Sequence, residues 1–147
     1  MEISILHPHD VTDESIGQLN HLLKQLSADS SGTSRHALET LVEEGGFILC
    51  ARTVSGEIIG MAQLDRRYNI EGVRVGTIET VVVDEAYRGQ GIAQSMIERL
   101  INIALQSGVK RIRLTSKPER EAANHLYQKM GFERVETNVY QKILKPD

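Results

Sequence analysis

Residues 76–116 restrict the fold most, because they predict a strand, a glycine turn, a helix and a second strand in immediate succession. The β-branched run GTIETVVVD (76–84) predicts the first strand. Apolar residues at helical spacing predict a helix over about 91–106, which Gly108 ends. RIRLTS (111–116) predicts the second strand. Because a helix crosses between them, the two strands must run roughly parallel through a right-handed crossover.

Shorter elements surround this unit. Those expected before it are strand 2–6, a helix capped at Thr12, a helix capped near Ser34 that stops at Gly45-Gly46, strands 47–54 and 57–64, and a polar connection over 66–74. Those expected after it are a helix opened by the capping box Ser116-Lys117-Pro118-Glu119 and closed by Gly131, and strands 132–136 and 138–144. The patterns predict an α+β fold in which a mostly antiparallel meander is followed by one parallel crossover.

Length and charge limit the class of protein. The chain has 147 residues, which favours one domain over 1–147, and 17 basic against 20 acidic residues give a net charge of −3. That balance argues against nucleic acid as a partner. No apolar run of about 18 residues and no secretory signal is found, so we expect a cytoplasmic protein with no membrane partner. Cys50 is expected to be a buried thiol, and the five scattered histidines, including His7 and His9, predict no metal site.

The stretch VVVDEAYRGQGIA (81–93) places glycines at a strand-to-helix junction, where phosphates often approach the backbone. A P-loop is excluded, because no Lys-Ser/Thr pair follows Gly91. A dinucleotide fingerprint is excluded too, because Gln94 stands at the third glycine position and the next strand ends without an acidic residue. A third pattern, [QR]-x-x-G-x-[GA], is satisfied by Arg88, Gly91 and Ala93.

This third pattern resembles the acetyl-coenzyme A loop of the GCN5-related N-acetyltransferase (GNAT) superfamily. A second stretch, AANHLYQKMGFE (122–133), is similar to the family's helix A-x-x-[LF]-Y-x-x-x-G-[FY]. The positions that match it are Ala123, Leu126, Tyr127, Gly131 and Phe132. The resemblance implies a mixed α/β/α fold whose sheet has about six or seven strands, about four helices and one splayed parallel strand pair.

The resemblance also implies acetyl-coenzyme A as cosubstrate. Pantetheine is expected along the backbone of Val81, Val82 and Val83. The pyrophosphate is expected on the loop formed by Arg88, Gly89, Gln90, Gly91, Ile92 and Ala93. Asn124 and Tyr127 match positions that contact the cofactor, although an exposed helix residue remains an alternative for Asn124.

Two residues carry the expected chemistry. Tyr127 matches the tyrosine that protonates the coenzyme A thiolate, whereas helical spacing alone would make it a core aromatic. Glu79 lies inside an apolar strand, on the same face as Val81 and Val83 by period-two alternation, where an unsatisfied carboxylate would be costly. Several members of the family use a glutamate near this position to take the amine proton, so the resemblance makes Glu79 the candidate general base; a structural hydrogen bond, an exposed position and a water as base stay open.

The acceptor is expected to be a small-molecule amine. Arg66, Arg67 and Arg74, together with Tyr68, are candidates for binding an anionic group on it, and solvated charges on a loop are the alternative. A protein acetyltransferase, acting on lysine or an N-terminus, and a non-catalytic acetyl-coenzyme A sensor remain alternative functions. A homodimer also stays open.

Overall fold

The computed structural model describes residues 1–145, and the sheet within them has five strands. In chain order, and as neighbours in the sheet, these are β1 (Glu2–Leu6), β2 (Phe47–Arg52), β3 (Ile58–Tyr68), β4 (Arg74–Val83) and β5 (Arg111–Leu114). The first three pairs are antiparallel, and β4 and β5 run parallel. The α+β class and the parallel crossover are therefore confirmed, whereas the sheet has fewer strands than expected.

Residues 1–145 contain four α-helices: α1 (Asp13–Leu26), α2 (Arg35–Glu43), α3 (Ile92–Gln106) and α4 (Glu121–Lys129). The caps predicted for α1 and α2 are confirmed. The Thr12 hydroxyl accepts the Ser15 N–H, and the Ser15 hydroxyl accepts the Thr12 N–H in return. Ser34 accepts the Ala37 N–H at the start of α2. No helix in the described part of the chain is long and apolar enough to span a bilayer.

The two faces of the sheet are covered by different helices. Leu19 and Leu22 of α1 share a core cluster with Cys50, Met61 and Val82, which defines the α1 face. The opposite face packs against α3, because a Cβ added at Gly60 would lie 3.2 Å from Met96 Cε. Since side chains alternate along β3, Gly60 and Met61 belong to opposite faces. We call the second one the α3 face.

The expected connection over 66–74 is wrong. Strand β3 continues to Tyr68 and β4 begins at Arg74, with Arg66 paired to Gly76 and Tyr68 to Arg74. The turn is short because the Asn69 side chain accepts N–H groups from Glu71 and Val73. Polar side chains hid this strand, since backbone pairing does not require apolar residues at an exposed hairpin end.

A second compact unit begins at Ser116 and contains α4. The capping box expected at Ser116–Glu119 is wrong, because α4 begins at Glu121 and its N-cap, Arg120, provides no side-chain cap. A turn closed by the Arg120 N–H and the Lys117 carbonyl, 3.0 Å apart, precedes the helix instead.

The two strands expected after α4 are also absent from the described residues, which form no strand between Phe132 and Lys145. Several apolar residues of this segment are exposed: Val135, Val139, Tyr140, Ile143 and Leu144. Strand-type composition is not sufficient here, because a strand also needs a neighbour that takes up its N–H and C=O groups.

Candidate functional site

The glycine loop follows β4 directly and opens α3. Gly89 and Gly91 have φ angles of +81° and +79°, and an added Cβ at either would meet no heavy atom within 4 Å. Gly91 is the N-cap of α3, and no side chain caps the helix there. The first N–H groups of α3 are therefore left without helical acceptors, at the positive end of the helix dipole. An open backbone of this kind suits a phosphate group.

The other loop residues predicted to bind the cofactor differ in what they expose. Arg88 and Gln90 are exposed, and Ala93 is half-buried. The Arg88 Nε donates to the Val83 carbonyl at 3.0 Å, which ties the arginine back to the end of β4. The Ile92 side chain is buried in the core, so only its backbone can face a ligand.

Helix α1 holds the residues that precede the loop. The Gln25 Oε1 accepts the Glu85 N–H at 3.0 Å, and the Gln25 Nε2 lies 2.9 Å from His21 Nε2. The same His21 nitrogen lies 3.5 Å from Asp84 Oδ2, at the residue that precedes Glu85. Helix α1 therefore helps to position the residues that precede the loop.

Strand β4 has a free edge beyond its pairing with β5. The parallel register extends only from Val75–Arg111 to Ile78–Leu114, whereas β4 continues to Val83. Beyond Ile78, β4 therefore has no strand neighbour on its β5 side among the described residues. We call this end of the pairing the notch. Val82 and Val83 bury their side chains and Val81 is half-buried, so the backbone of these three residues is what the edge offers to a ligand.

A β-bulge lies at the notch and contains Glu79. Ile78 pairs with Leu64 and Thr80 with Gln63, which leaves Glu79 without a partner in β3. The bulge interrupts the period-two alternation that placed Glu79 on the face of Val81 and Val83. Glu79 is exposed, which is one of the alternatives that the sequence left open, so its carboxylate carries no large desolvation cost. The proposed role of Glu79 as base stays a prediction.

Tyr127 is half-buried on α4, and its ring packs edge-on against Phe132 with centroids 6.0 Å apart. Burial raises the pKa of the Tyr127 phenol above its usual value, and the Arg120 charge opposes this in part. A raised pKa keeps the phenol protonated at neutral pH, as a proton donor requires. Asn124 is engaged locally, since its Nδ2 donates to the Lys117 carbonyl at 2.9 Å.

Two of the candidate arginines serve the fold. Arg66 donates from Nε to the Gly45 carbonyl, and its guanidinium lies 5.0 Å from the centre of the Phe47 ring. Burial lowers the pKa of Arg66, as does the nearby Arg74 charge.

Arg74 donates to the Ser107 carbonyl at the end of α3 and lies 5.4 Å from the centre of the Tyr68 ring. Arg66, Arg74 and Tyr68, three of the four predicted acceptor-binding residues, thus have side chains that already contact other residues of the protein. Arg67 differs, because it is exposed and its side chain forms no hydrogen bond or ion pair within the described residues.

A polar stripe on β3 was missed by sequence reasoning. Gln63, Asp65 and Arg67 alternate with Leu64 and Arg66, so they lie on the α1 face together with Met61. The Gln63 Nε2 donates to the Asp65 Oδ1 at 3.0 Å. Their period-two spacing was visible in the sequence, but ending the predicted strand at Leu64 concealed it. No group of three or more His, Cys, Asp or Glu residues in the described part of the chain is placed to share a metal ion.

Comparisons with known proteins agree with this geometry. A family model described as the acetyltransferase (GNAT) family matches residues 17–132. A glucosamine 6-phosphate N-acetyltransferase of Trypanosoma brucei brucei is 28% identical over 136 residues, which cover 90% of this chain and 88% of the relative. An uncharacterized N-acetyltransferase of Methanocaldococcus jannaschii is 32% identical over 96 residues, or 64% of this chain, and this chain spans only 42% of that relative.

Among solved structures, the crystal structure of a Trypanosoma brucei acetyltransferase superposes with a TM-score of 0.78 at 25% identity, covering 97% of this chain and 99% of that one. The family match includes both the glycine loop and the tyrosine helix, so the resemblance inferred from those two motifs is confirmed. The chain belongs to the acetyltransferase (GNAT) family.

Proposed function

We propose that this protein transfers an acetyl group from acetyl-coenzyme A to the primary amine of a small molecule. One observation carries the proposal: the open backbone at Gly89 and Gly91 directly follows a strand whose edge is free beyond Ile78. Coenzyme A joins a pyrophosphate to an amide-containing arm. A phosphate-binding turn next to a free strand edge suits that combination better than it suits a nucleotide alone.

Each part of the cosubstrate then has a place in the proposal. The N–H groups of residues 88–93 bind the pyrophosphate, and the amides of pantetheine pair with the β4 backbone at Val81 and Val83, with Val82 between them. The Val83 carbonyl already accepts a hydrogen bond from Arg88. Because a carbonyl oxygen has two lone pairs, it can accept a second one. The proposal requires no metal.

The chemical step forms a C–N bond and breaks a C–S bond. The neutral amine attacks the thioester carbonyl carbon, and the thiolate leaves with the electron pair of the C–S bond. Tyr127 donates a proton to that thiolate, and Glu79, directly or through a water, takes the proton that the amine loses. The bulge at Glu79 leaves backbone groups without partners in β3, and an N–H group there can stabilise the oxyanion.

The acceptor is proposed to be a small amine that also bears an anionic group. The Trypanosoma brucei brucei relative, which aligns with 90% of this chain, is named for glucosamine 6-phosphate, and that molecule has both groups. Arg67 is the candidate for the anion, because Arg66 and Arg74 already bind carbonyl groups of the protein.

Thiol release tests the proposal against its alternatives. The protein is incubated with acetyl-coenzyme A and, in turn, with glucosamine 6-phosphate, glucosamine, a peptide with a free N-terminus and a lysine peptide. We expect thiol release and an acetylated product with the small amines. Release with the peptides alone would favour a protein acetyltransferase. Tight acetyl-coenzyme A binding with no release from any amine would favour a sensor.

The role of Tyr127 has its own test. We expect Tyr127→Phe to lower kcat by roughly 10²–10⁴ while acetyl-coenzyme A still binds. Tyr140→Phe is the matched control, because Tyr140 is exposed, and this substitution should leave kcat unchanged. Normal turnover in a folded Tyr127→Phe variant would remove the tyrosine from the mechanism.

A further inference from the structure

Asp65 is a half-buried residue, and only one of its two carboxylate oxygens accepts a hydrogen bond within the described residues. Its Oδ1 accepts one hydrogen bond from Gln63, and Gly46 approaches that oxygen so closely that an added Cβ would lie 2.8 Å from it. Within the described residues, Oδ2 accepts no hydrogen bond, and no Lys, Arg or His forms an ion pair with Asp65. A carboxylate partly removed from water is normally stabilised by a cation or by several donors, so this oxygen has capacity for a cationic ligand.

Asp65 also lies beside the notch. It pairs with Thr77, just before the pairing of β4 with β5 ends, and Gln63 pairs with Thr80, just after the bulge at Glu79. Two residues along β4 and one strand spacing separate the Cα atoms of Asp65 and Glu79 by roughly 8 Å. An acceptor that approaches from the α1 face would therefore meet Asp65 close to the free edge of β4.

The α1 face also carries a positive charge near Asp65. Arg67 follows Asp65 by two residues on the α1 face, about 7 Å along the strand, and it is exposed. The carboxylate and the guanidinium form no ion pair with each other. This spacing matches a small ligand with an ammonium at one end and an anionic group at the other.

We infer that Asp65 binds the ammonium form of the acceptor and positions it at the notch, with Gln63 holding the carboxylate in place. The inference rests on the proposed function for the identity of the ligand as the acceptor. Asp65 is a specificity residue here. It selects amines over neutral analogues, and the amine then loses its proton to Glu79 or water before it attacks.

Calorimetric titration with two sugars tests the inference without catalysis. Glucosamine 6-phosphate and glucose 6-phosphate are titrated into the protein saturated with free coenzyme A, which cannot react. We expect the wild type to bind the amino sugar roughly 10-fold or more tightly than the neutral sugar, as one charge-assisted hydrogen bond implies. Asp65→Asn keeps the shape and should abolish this preference without changing the affinity for glucose 6-phosphate.

Glu71→Gln provides the matched control, because it removes one negative charge from the exposed loop of the same hairpin. It should keep the wild-type preference, and coenzyme A affinity and melting temperature should be unchanged in both variants. Equal affinity of the wild type for the two sugars, binding of neither, or a preference that survives Asp65→Asn would each overturn the inference. Thiol release is measured separately. An Asp65-dependent preference without thiol release from any amine would leave the amine site intact and refute the proposed transfer.

Discussion

The two ends of α3 offer a controlled test of the phosphate site. Gly91 precedes the helix and Gly108 follows it, both have a φ of +79°, and an added Cβ at either meets no heavy atom within 4 Å. Alanine at either position therefore adds no clash, and its direct cost is a Cβ in the left-handed region, about 1–2 kcal/mol. A more restricted unfolded chain returns about 0.4–1 kcal/mol of this. The two variants should thus lose similar stability, on the order of 1 kcal/mol, or a few degrees in Tm.

Their effects on ligand binding should differ sharply. In Gly91→Ala the new methyl group occupies open space at the N-terminus of α3, where we place the pyrophosphate. Losing one hydrogen bond to a charged group costs about 1.5–3 kcal/mol, which corresponds to roughly 10–100-fold weaker binding. In Gly108→Ala the change lies at the opposite end of the helix, so coenzyme A affinity should match that of the wild type.

Calorimetric titration of coenzyme A into both variants and the wild type measures this contrast, and thermal melts confirm that stability losses are matched. The reasoning is refuted if both variants bind coenzyme A as tightly as the wild type, or if both lose affinity equally. The second result would mean that general destabilisation, and not the loop, controls binding.

Three further predictions concern side chains that the fold buries wholly or in part. Burial raises the pKa of the Cys50 thiol to about 12, against an ordinary value of 9.0, so the native state resists ionisation. The unfolding free energy of the wild type should therefore decrease with pH between about pH 9 and 12, by up to about 1.4 kcal/mol per pH unit more than that of Cys50→Ala. Chemical denaturation at each pH measures the two slopes, and equal slopes would contradict the prediction. Because burial raises the pKa of Tyr127, kcat should begin to fall only above the ordinary tyrosine pKa of about 10. This alkaline decrease should be absent from the residual activity of Tyr127→Phe. A decrease of kcat near neutral pH would mean that another group donates the proton. Arg74→Met should lower the free energy of unfolding by about 1–2 kcal/mol, because it removes a cation bound to the C-terminal end of α3. In the same urea titration, substitution of the exposed Arg67 by Met should leave the free energy of unfolding unchanged. Equal losses in the two variants would contradict the different roles given to the two arginines.

The elements predicted correctly are those encoded by local chemistry. The β-branched run of β4 favours a strand and the apolar stripe of α3 favours a helix regardless of distant residues, and the caps at Thr12 and Ser34 are equally local. The crossover followed from these elements because a helix between two strands of one sheet permits few arrangements. The glycine turn that opens α3 was therefore predictable from the sequence, whereas its role as a phosphate site stays a prediction.

The features that were missed depend on partners distant in sequence. Whether Arg66 faces solvent or the Phe47 ring depends on the register between β2 and β3, and the exposure of Glu79 depends on a bulge that composition does not reveal. Local signals also competed at Ser116, where a turn at Lys117 displaced the expected cap. Asp65 was missed because the predicted strand ended one residue before it.

The central claim is acetyl transfer to a small amine, and product analysis tests it most directly. Purified protein is incubated with acetyl-coenzyme A and glucosamine 6-phosphate, and the sugar is examined by mass spectrometry while released thiol is counted. The account predicts N-acetylated sugar in equal amount to the thiol, with formation greatly slowed in Tyr127→Phe and unchanged in Tyr140→Phe. Saturable acetyl-coenzyme A binding with neither thiol nor an acetylated product from any amine tested would contradict it.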